Sequence, residues 1–225
     1  MMVAKWRGAG QGAAALVAEV IAGELARAGG FNMPELAVLE LDPGIGKNER
    51  DEEIRDLLVA SEGANLGMRF LEGALAFDPA AHVVLAPGIA AKLVLFDSIV
   101  MNVDRTARNT NLLWWNEDLW LIDHGASLYW YHGWDGAVER PTRAFPMVGQ
   151  HVLLPVADGL DDAAGQLRST LTQERVAEAV ARVPTSWLAG DDTTARRDAY
   201  VAFLMARIEA LPALAQEATD ARAAL

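Results

Sequence analysis

The chain has 225 residues, 52% of them hydrophobic, with no cysteine and a formal net charge of −12. A chain of this length suits one domain, or two small lobes that share a cleft, and it can bury a substantial core. The acidic balance argues against a nucleic-acid or anionic-membrane partner, since both need a basic surface, and the lack of cysteine excludes a disulfide scaffold and a thiolate metal site.

The amino-terminal residues predict a strand, a flexible loop and a helix. Residues 3–6 have the character of a strand end, and a helical run begins near Ala13. Between them lie Gly8, Gly10 and Gly12. Backbone amides before a helix start can bind phosphate, but Gly-x-Gly-x-Gly is a weak signal for this, and plain loop flexibility is the preferred interpretation.

Two glutamates of this helix compete for the role of a buried, paired carboxylate. Projection at helical pitch places Glu24 in the middle of a broad apolar face and Glu19 among small alanines. A helix that is apolar or small nearly all round is a buried one, and a buried carboxylate needs a partner. The projection alone leaves the choice between Glu19 and Glu24 open.

The middle of the chain predicts two strands and two helices. A strand is predicted over 34–41, a charged helix over 49–60 and a second strand over 65–71. Pro87 is expected at a first helical position, where proline is favoured, and apolar residues recur at helical spacing from 89 to 100. This buried helix directs its end at a polar loop.

The polar loop carries the most informative pattern in the chain. Asp104 and Asn109 stand five positions apart, and Asp123 closes a hydrophobic segment just before a His-Gly step. Protein kinases use an Asp at the acceptor hydroxyl, and they bind metal with an Asn five residues later and an Asp ahead of a Gly. The alternative is a capped helix end followed by a solvated hairpin, because Asx residues populate turns for their own reasons.

The chemistry of phosphoryl transfer fits these residue types. Mg²⁺ takes oxygen ligands and keeps several waters, so Asn109 and Asp123 can supply its protein ligands. Asp104 then stays free to accept the proton of a hydroxyl within hydrogen-bond reach. The β-prone runs 112–115 and 119–122 predict a hairpin with a three-residue connection, which delivers Asp123 beside the loop.

With these motifs the chain resembles the HipA-like kinase family. The residues that carry the resemblance are Phe96, Asn102, Asp104, Arg105, Thr106, Asn109, Trp114, Trp120 and the run from Leu121 to Gly125. The resemblance extends from about residue 3 to about residue 190, and its specific motifs are confined to 96–125.

The resemblance implies an α+β, protein-kinase-like fold. A truncated, β-containing small lobe is expected over residues 1–72 and a mainly helical large lobe over 73–225. The catalytic loop is then 102–111 and the metal-binding hairpin 112–125.

The resemblance also implies an ATP- and Mg²⁺-dependent phosphotransferase with Asp104 as catalytic base. Asn109 and Asp123 are then the metal ligands. Lys5 matches the strand lysine that neutralises nucleotide phosphates, and the family pattern favours Glu19 as its helix partner.

Further nucleotide contacts follow by analogy. Adenine is expected against the backbone of Phe70, Leu71 and Glu72, where a kinase chain crosses between its lobes. Arg105 and Arg108 lie beside the proposed metal site in sequence. They can either offset phosphate charge or pair with neighbouring carboxylates, and the sequence favours neither.

One departure from the family pattern concerns the start of the chain. Only four residues precede Lys5, whereas a kinase small lobe supplies two strands and a Gly-rich loop before its strand lysine. Three explanations are open: a truncated chain, a start codon placed too far downstream, or a phosphate cradle formed by residues 7–12. The chain as given is expected to bind ATP weakly and to transfer phosphate slowly or not at all.

After Gly125 the chain is aromatic and then helical. Tyr129, Trp130, Tyr131 and Trp134 occupy the place of an activation loop, and core packing is preferred there over an acceptor-binding platform. Helices are predicted at about 161–170, 172–182 and 193–210, followed by an Ala-rich tail.

The preferred hypothesis is a kinase that transfers the γ-phosphate of ATP to a hydroxyl, with Ser or Thr of a protein as the expected acceptor and a small-molecule hydroxyl also open. The first alternative is a non-catalytic nucleotide-binding adaptor, a pseudokinase. The second is a metal-dependent phosphohydrolase that uses Asp104 and Asp123 with water as the acceptor.

A cytoplasmic protein without a membrane partner is expected. The first 30 residues contain no uninterrupted apolar core of the signal-peptide type. The longest apolar run is interrupted by Lys92 and Asp97 and is too short to span a bilayer. The four histidines lack zinc-ligand spacing, so a zinc enzyme is not expected.

Overall fold

The computed structural model describes residues 1–10, 12–81, 83–128 and 142–225. These residues form an α+β fold with two small antiparallel sheets, as predicted. The strands are β1 (Met2–Lys5), β2 (Leu36–Leu41), β3 (Gly63–Arg69), β4 (Leu75–Ala76), β5 (Leu112–Trp115) and β6 (Asp118–Leu121). The α-helices are α1 (Ala13–Ala28), α2 (Glu52–Ala60), α3 (Ile89–Val100), α4 (Leu160–Thr170), α5 (Gln173–Ala181), α6 (Thr193–Glu209) and α7 (Leu211–Ala223).

The first sheet positions Lys5. Its strand order is β1-β3-β2, and β1 pairs with β3 so that Met2 lies opposite Arg69 and Lys5 opposite Leu66. Leu66 is buried, so the end of β1 that carries Lys5 is the end nearest the core. The strands predicted over 34–41 and 65–71 are present with slightly different ends.

One apolar core runs through α1 and α3. α1 packs against α5, and α3 packs against α4 and α7. Every residue from Leu93 to Val100 is buried, and a single cluster of buried apolar side chains includes members of both α1 and α3. Since this core crosses the predicted boundary at residue 72, the division into residues 1–72 and 73–225 stays a prediction.

Both ends of α3 are set by left-handed residues. Gly88, with φ 76°, precedes the helix, so Pro87 lies two residues before Ile89 rather than at the first helical position that was predicted. At the other end Met101 has φ 53°, a conformation that stops a helix. The chain therefore turns at Met101 into the polar loop.

The hairpin is tighter than predicted. Trp115 pairs with Asp118, so the connection has two residues, Asn116 and Glu117, instead of three. Their φ values are 50° and 63°, as a type I′ turn requires. Asp118, which the prediction assigned to the connection, is the first residue of β6.

The remaining helices follow the prediction with two differences. The charged helix predicted from residue 49 begins at Glu52, because the Asp51 side chain accepts hydrogen bonds from the N–H groups of Glu53 and Ile54 and caps the helix. The Ala-rich tail forms α7, which was not predicted. Its apolar residues, Leu211, Leu214, Ala215 and Ala218, are buried.

The aromatic residues of the predicted activation loop lie outside the described residues: Tyr129, Trp130, Tyr131 and Trp134. The preference for core packing over an acceptor-binding platform therefore stays a prediction. In the part of the chain that the structure describes, no helix combines the length and apolar character that crossing a membrane requires.

Candidate active site

Lys5 joins three elements at the centre of the candidate site. Its Nζ donates to Oε2 of Glu19 on α1 and to Oδ1 of Asp123 after β6, over 2.7 Å in each case. The Glu19 side chain is 1% exposed, whereas that of Asp123 is 53% exposed. Lys5 thus lies between an enclosed carboxylate and one that faces solvent.

The two carboxylates keep Lys5 protonated. Burial by itself lowers the pKa of Lys5, but the charges of Glu19 and Asp123 and their hydrogen bonds outweigh burial and raise it above its ordinary value. Burial raises the pKa of Glu19, although Lys5 and the backbone N–H of His124 act in the opposite direction. A protonated lysine in this place can neutralise a phosphate.

The structure distinguishes the two glutamates that the helix projection left open. Glu19 contacts Lys5, whereas Oε1 of Glu24 lies 3.9 Å from Nε of Arg27 on the same helix. The loop after Asp123 packs directly on the Glu19 side of α1, since a Cβ at Gly125 would lie 3.7 Å from Oε2 of Glu19.

The predicted base and one predicted metal ligand lie side by side in the polar loop. Oδ2 of Asp104 accepts hydrogen bonds from Nδ2 of Asn109 at 2.8 Å and from Nδ2 of Asn111 at 3.3 Å. A backbone hydrogen bond from Thr106 to Asn109, 2.9 Å long, closes the turn between them. None of the described residues donates to Oδ1 of Asp104, so this oxygen can receive a proton from an acceptor hydroxyl.

Asn111 connects the loop to the end of the hairpin. Its Nδ2 lies 3.5 Å from the backbone oxygen of Asp123, and its own carbonyl accepts from Ile122 N–H at 3.1 Å. Asn111 and Asp123 both have left-handed backbones, with φ 47° and 55°. Asx residues tolerate this conformation better than most, and such local strain clusters at functional sites.

Asp97, a buried residue of α3, accepts three hydrogen bonds and holds the polar loop in place. Its Oδ2 accepts from Nε2 of His151 at 2.9 Å and from Nε of Arg105 at 2.5 Å, and its Oδ1 accepts from Asn102 at 3.3 Å. Burial raises the pKa of Asp97, but Arg105 and His151 outweigh it and lower the pKa to about 2. A buried ionised carboxylate therefore fixes the loop at two positions, Asn102 at its start and Arg105 directly after Asp104.

Arg105 is enclosed by its partners within the protein. The sequence left open whether it offsets phosphate charge or pairs with a carboxylate. In the structure it is 1% exposed, and its guanidinium is bound to Asp97, the Asn111 carbonyl and His124. It therefore supports the loop from inside and cannot reach a nucleotide. Arg108, the other arginine of the loop, is exposed, and a phosphate contact from it stays a prediction.

His124 is enclosed behind the metal-binding candidate. Nε2 of His124 lies 3.0 Å from Nη2 of Arg105, and its ring meets Phe96 edge to face with centroids 6.3 Å apart. Burial, together with the Arg105 charge, lowers the pKa of His124 to about 3, so the ring is neutral.

The side chains of Asn109 and Asp123 suit Mg²⁺ better than a transition metal. Within the described ranges no group of three His, Cys, Asp or Glu side chains is arranged to hold a metal ion. The donors here are one carboxylate and one amide oxygen, and Asn109 leaves that oxygen open because its nitrogen is engaged by Asp104. Mg²⁺ accepts such a small oxygen set because it keeps most of its water.

The glycine loop offers few backbone amides to a phosphate. Gly8 N–H donates to Oγ of Ser61 at 3.0 Å, and Gly12 N–H donates to the carbonyl of Ala9 at 3.0 Å. In this conformation both amides are engaged within the protein, and a phosphate contact from either stays a prediction. Gly8 is required by packing, since a Cβ there would lie 2.7 Å from Cβ of Ala60. Gly10, with φ 53° and open space around it, stays a phosphate-binding prediction as well.

The segment predicted to meet adenine is partly committed to other contacts. Phe70 N–H donates to the Met1 carbonyl at 3.1 Å, and the Glu72 carbonyl accepts from the Trp115 indole at 2.9 Å. Leu71 is buried. A cavity of about 520 Å³ adjoins this segment, lined by Met1, Arg69, Phe70, Glu72 and Trp115. The adenine contact stays a prediction that rests on the remaining N–H groups.

Sequence reasoning assigned no role to four residues that build the site: Asp97, Asn111, His124 and His151. A signal existed for Asp97, because a carboxylate within the apolar run of α3 needs a buried partner. For His151 no local signal exists, since it lies 54 positions from Asp97.

A family model for the HipA-like kinase matches residues 3–213. No curated protein and no solved structure matches the chain.

Proposed function

This chain belongs to the HipA-like kinase family, and we propose that it is a phosphotransferase that binds Mg·ATP and moves the γ-phosphate to a hydroxyl, with Ser or Thr of a protein as the acceptor. The observation that carries this proposal is a chain of contacts: Lys5 contacts Asp123, Asn109 contacts Asp104, and the Asn111 side chain lies between the two pairs. These residues come from a strand, a loop and the end of a hairpin.

Each side chain has a role that its surroundings support. Lys5, protonated and held by Glu19, neutralises the nucleotide phosphates. Asn109 and Asp123 would hold Mg²⁺, which when bound offsets the negative charge that develops on the transferring group. The free oxygen of Asp104 accepts the proton of the attacking hydroxyl.

A second candidate function is a nucleotide-binding adaptor that does not catalyse transfer. It is favoured by the glycine loop, where the amides of Gly8 and Gly12 are bonded within the protein. Fewer amides over the phosphates mean less stabilisation of the charge that develops during transfer.

Incubation of the purified chain with γ-labelled ATP and Mg²⁺ separates the candidates. Label on a Ser or Thr hydroxyl of the chain or an added protein supports the kinase. Release of free phosphate alone supports a phosphohydrolase, and binding of intact ATP without either product supports the adaptor.

A further inference from the structure

The backbone N–H of His124 acts on the Glu19 carboxylate. Two buried polar atoms beside Lys5 nonetheless have no partner within hydrogen-bond distance among the described residues. They are Oε1 of Glu19 and Nδ1 of His124, and they lie 3.9 Å apart. The other carboxylate oxygen of Glu19 accepts from Lys5. Leaving a buried donor or acceptor unpaired is costly, so the approach of two such atoms calls for a physical explanation.

Arg105 determines which of the two atoms is the donor. A guanidinium has only N–H donors, so Nε2 of His124, 3.0 Å from Nη2 of Arg105, must act as the acceptor. In a neutral ring the proton is then on Nδ1, the nitrogen that faces Glu19. The pair consists of an N–H and a carboxylate oxygen, which complement each other.

We propose that His124 is a positioning residue, whose Nδ1–H pairs with Oε1 of Glu19 and holds that carboxylate in place to orient Lys5 for the nucleotide. The two atoms are 3.9 Å apart, beyond hydrogen-bond distance, so the contact requires one of the two side chains to move about 1 Å closer. The proposal rests on the nucleotide function proposed above.

Two consecutive residues, Asp123 and His124, lie at opposite ends of the Lys5–Glu19 pair. The side chain of Asp123 contacts Lys5, and the ring of His124 faces Glu19. On the other side of the ring, Arg105 contacts Nε2 of His124 and also donates to Asp97, which holds the start of the catalytic loop. The loop that carries Asp104 is thereby linked through buried contacts to the lysine.

The tautomer of His124 tests the proposal without any nucleotide. Labelling the four histidines with ¹⁵N and recording long-range proton–nitrogen correlations at neutral pH identifies the protonated nitrogen of each ring. The signal that His124→Gln removes belongs to His124. A proton on Nδ1 is the expected result, and a proton on Nε2, or averaging between both nitrogens, overturns the proposal.

Two substitutions separate the contacts of the two ring nitrogens. Asn places its amide near the Nδ1 position and can still donate to Glu19, whereas Gln reaches the Nε2 position and can still accept from Arg105. We expect His124→Asn to keep Mg·ATP affinity within about threefold and His124→Gln to weaken it by about tenfold, the scale of one hydrogen bond to a charged group.

Thermal unfolding of both variants provides the control for a merely structural role. His124→Gln is expected to be the more stable variant, because it keeps a partner for the buried Arg105. Affinity and stability should therefore rank the variants in opposite orders, and affinity that simply follows stability overturns the proposal. If the wild-type chain binds no Mg·ATP, the proposed function fails, while the tautomer still decides the placement of the His124 proton.

Discussion

Lys5 and Asp123 form an ion pair between residues 118 positions apart, with 2.7 Å between Nζ and Oδ1. It ties the strand that carries the lysine to the hairpin that carries the proposed metal ligand. Because the Asp123 side chain is half exposed, the pair contributes little to stability and can separate at small cost. We expect Mg·ATP to separate it, with Lys5 turning to phosphate and Asp123 to the metal.

Replacement of Asp123 by Ala should abolish Mg²⁺-dependent ATP binding and keep the fold, with a loss of stability of about 1 kcal/mol because Ala tolerates φ 55° less well than Asp. The reason is that a half-exposed carboxylate packs against little, whereas Mg²⁺ loses one of two proposed protein ligands. Calorimetric titration with Mg·ATP measures the loss. Asp118→Ala, an exposed carboxylate of the same hairpin, is the matched control and should bind like the wild type. Equal affinity in Asp123→Ala would remove Asp123 from the site.

Substitution of Glu19 by Gln should weaken Mg·ATP binding by about tenfold, because Lys5 loses the charged partner that orients it. Glu24→Gln on the same helix is the control. Glu24 faces Arg27 instead of Lys5, so its loss should leave affinity unchanged. Fluorescence or calorimetric titration of both variants gives the comparison, and identical effects of the two substitutions would contradict a special role of Glu19.

Local patterns in the sequence predicted most elements of the fold. Helical spacing located α3, and the glycines and prolines marked the loops around it. The turn at Asn116 was predicted one residue too long because Asp118, a residue type that is rare in strands, pairs with Trp115 in the hairpin. α7 was missed, since an Ala-rich tail gives no sign of the core against which it packs.

The parts of the candidate site that were predictable are formed by residues close together in the sequence. Asp104 and Asn109 are five positions apart, and the structure places their side chains 2.8 Å apart. The burial of Arg105 was not predictable, because it depends on Asp97 from the preceding helix and His124 from the following hairpin. Long-range contacts of this kind leave no local periodicity.

Asp97→Asn should destabilise the protein by about 3–5 kcal/mol, since it leaves the buried charge of Arg105 without its counter-ion. Chemical denaturation measures the change. Asp158→Asn is the control: Asp158 pairs with Arg222 at the surface, its side chain is 85% exposed, and its loss should have no measurable effect. A similar, small effect of both substitutions would show that Asp97 is not the anchor of the loop.

The carboxylate of Asp97 should also make the free energy of unfolding depend on pH in the acid range. The pKa of Asp97 falls from 3.8 to about 2 on folding, so the folded state binds its proton less readily than the unfolded state. Its contribution, on the order of 2 kcal/mol, is present above pH 4 and is lost as the pH falls toward 2. The difference in unfolding free energy between the wild type and Asp97→Asn should therefore shrink by about 2 kcal/mol between pH 5 and pH 2. A constant difference would contradict the lowered pKa.

The central claim is that Asp104 is the base of a phosphoryl transfer, and a comparison of wild type with Asp104→Asn tests it most directly. Asparagine keeps the size of the side chain but cannot accept the hydroxyl proton. We expect unchanged Mg·ATP affinity and a rate of labelled phosphate transfer, to an added protein or to the chain itself, that falls by roughly 10²-fold or more. Transfer at the wild-type rate by Asp104→Asn would contradict the claim.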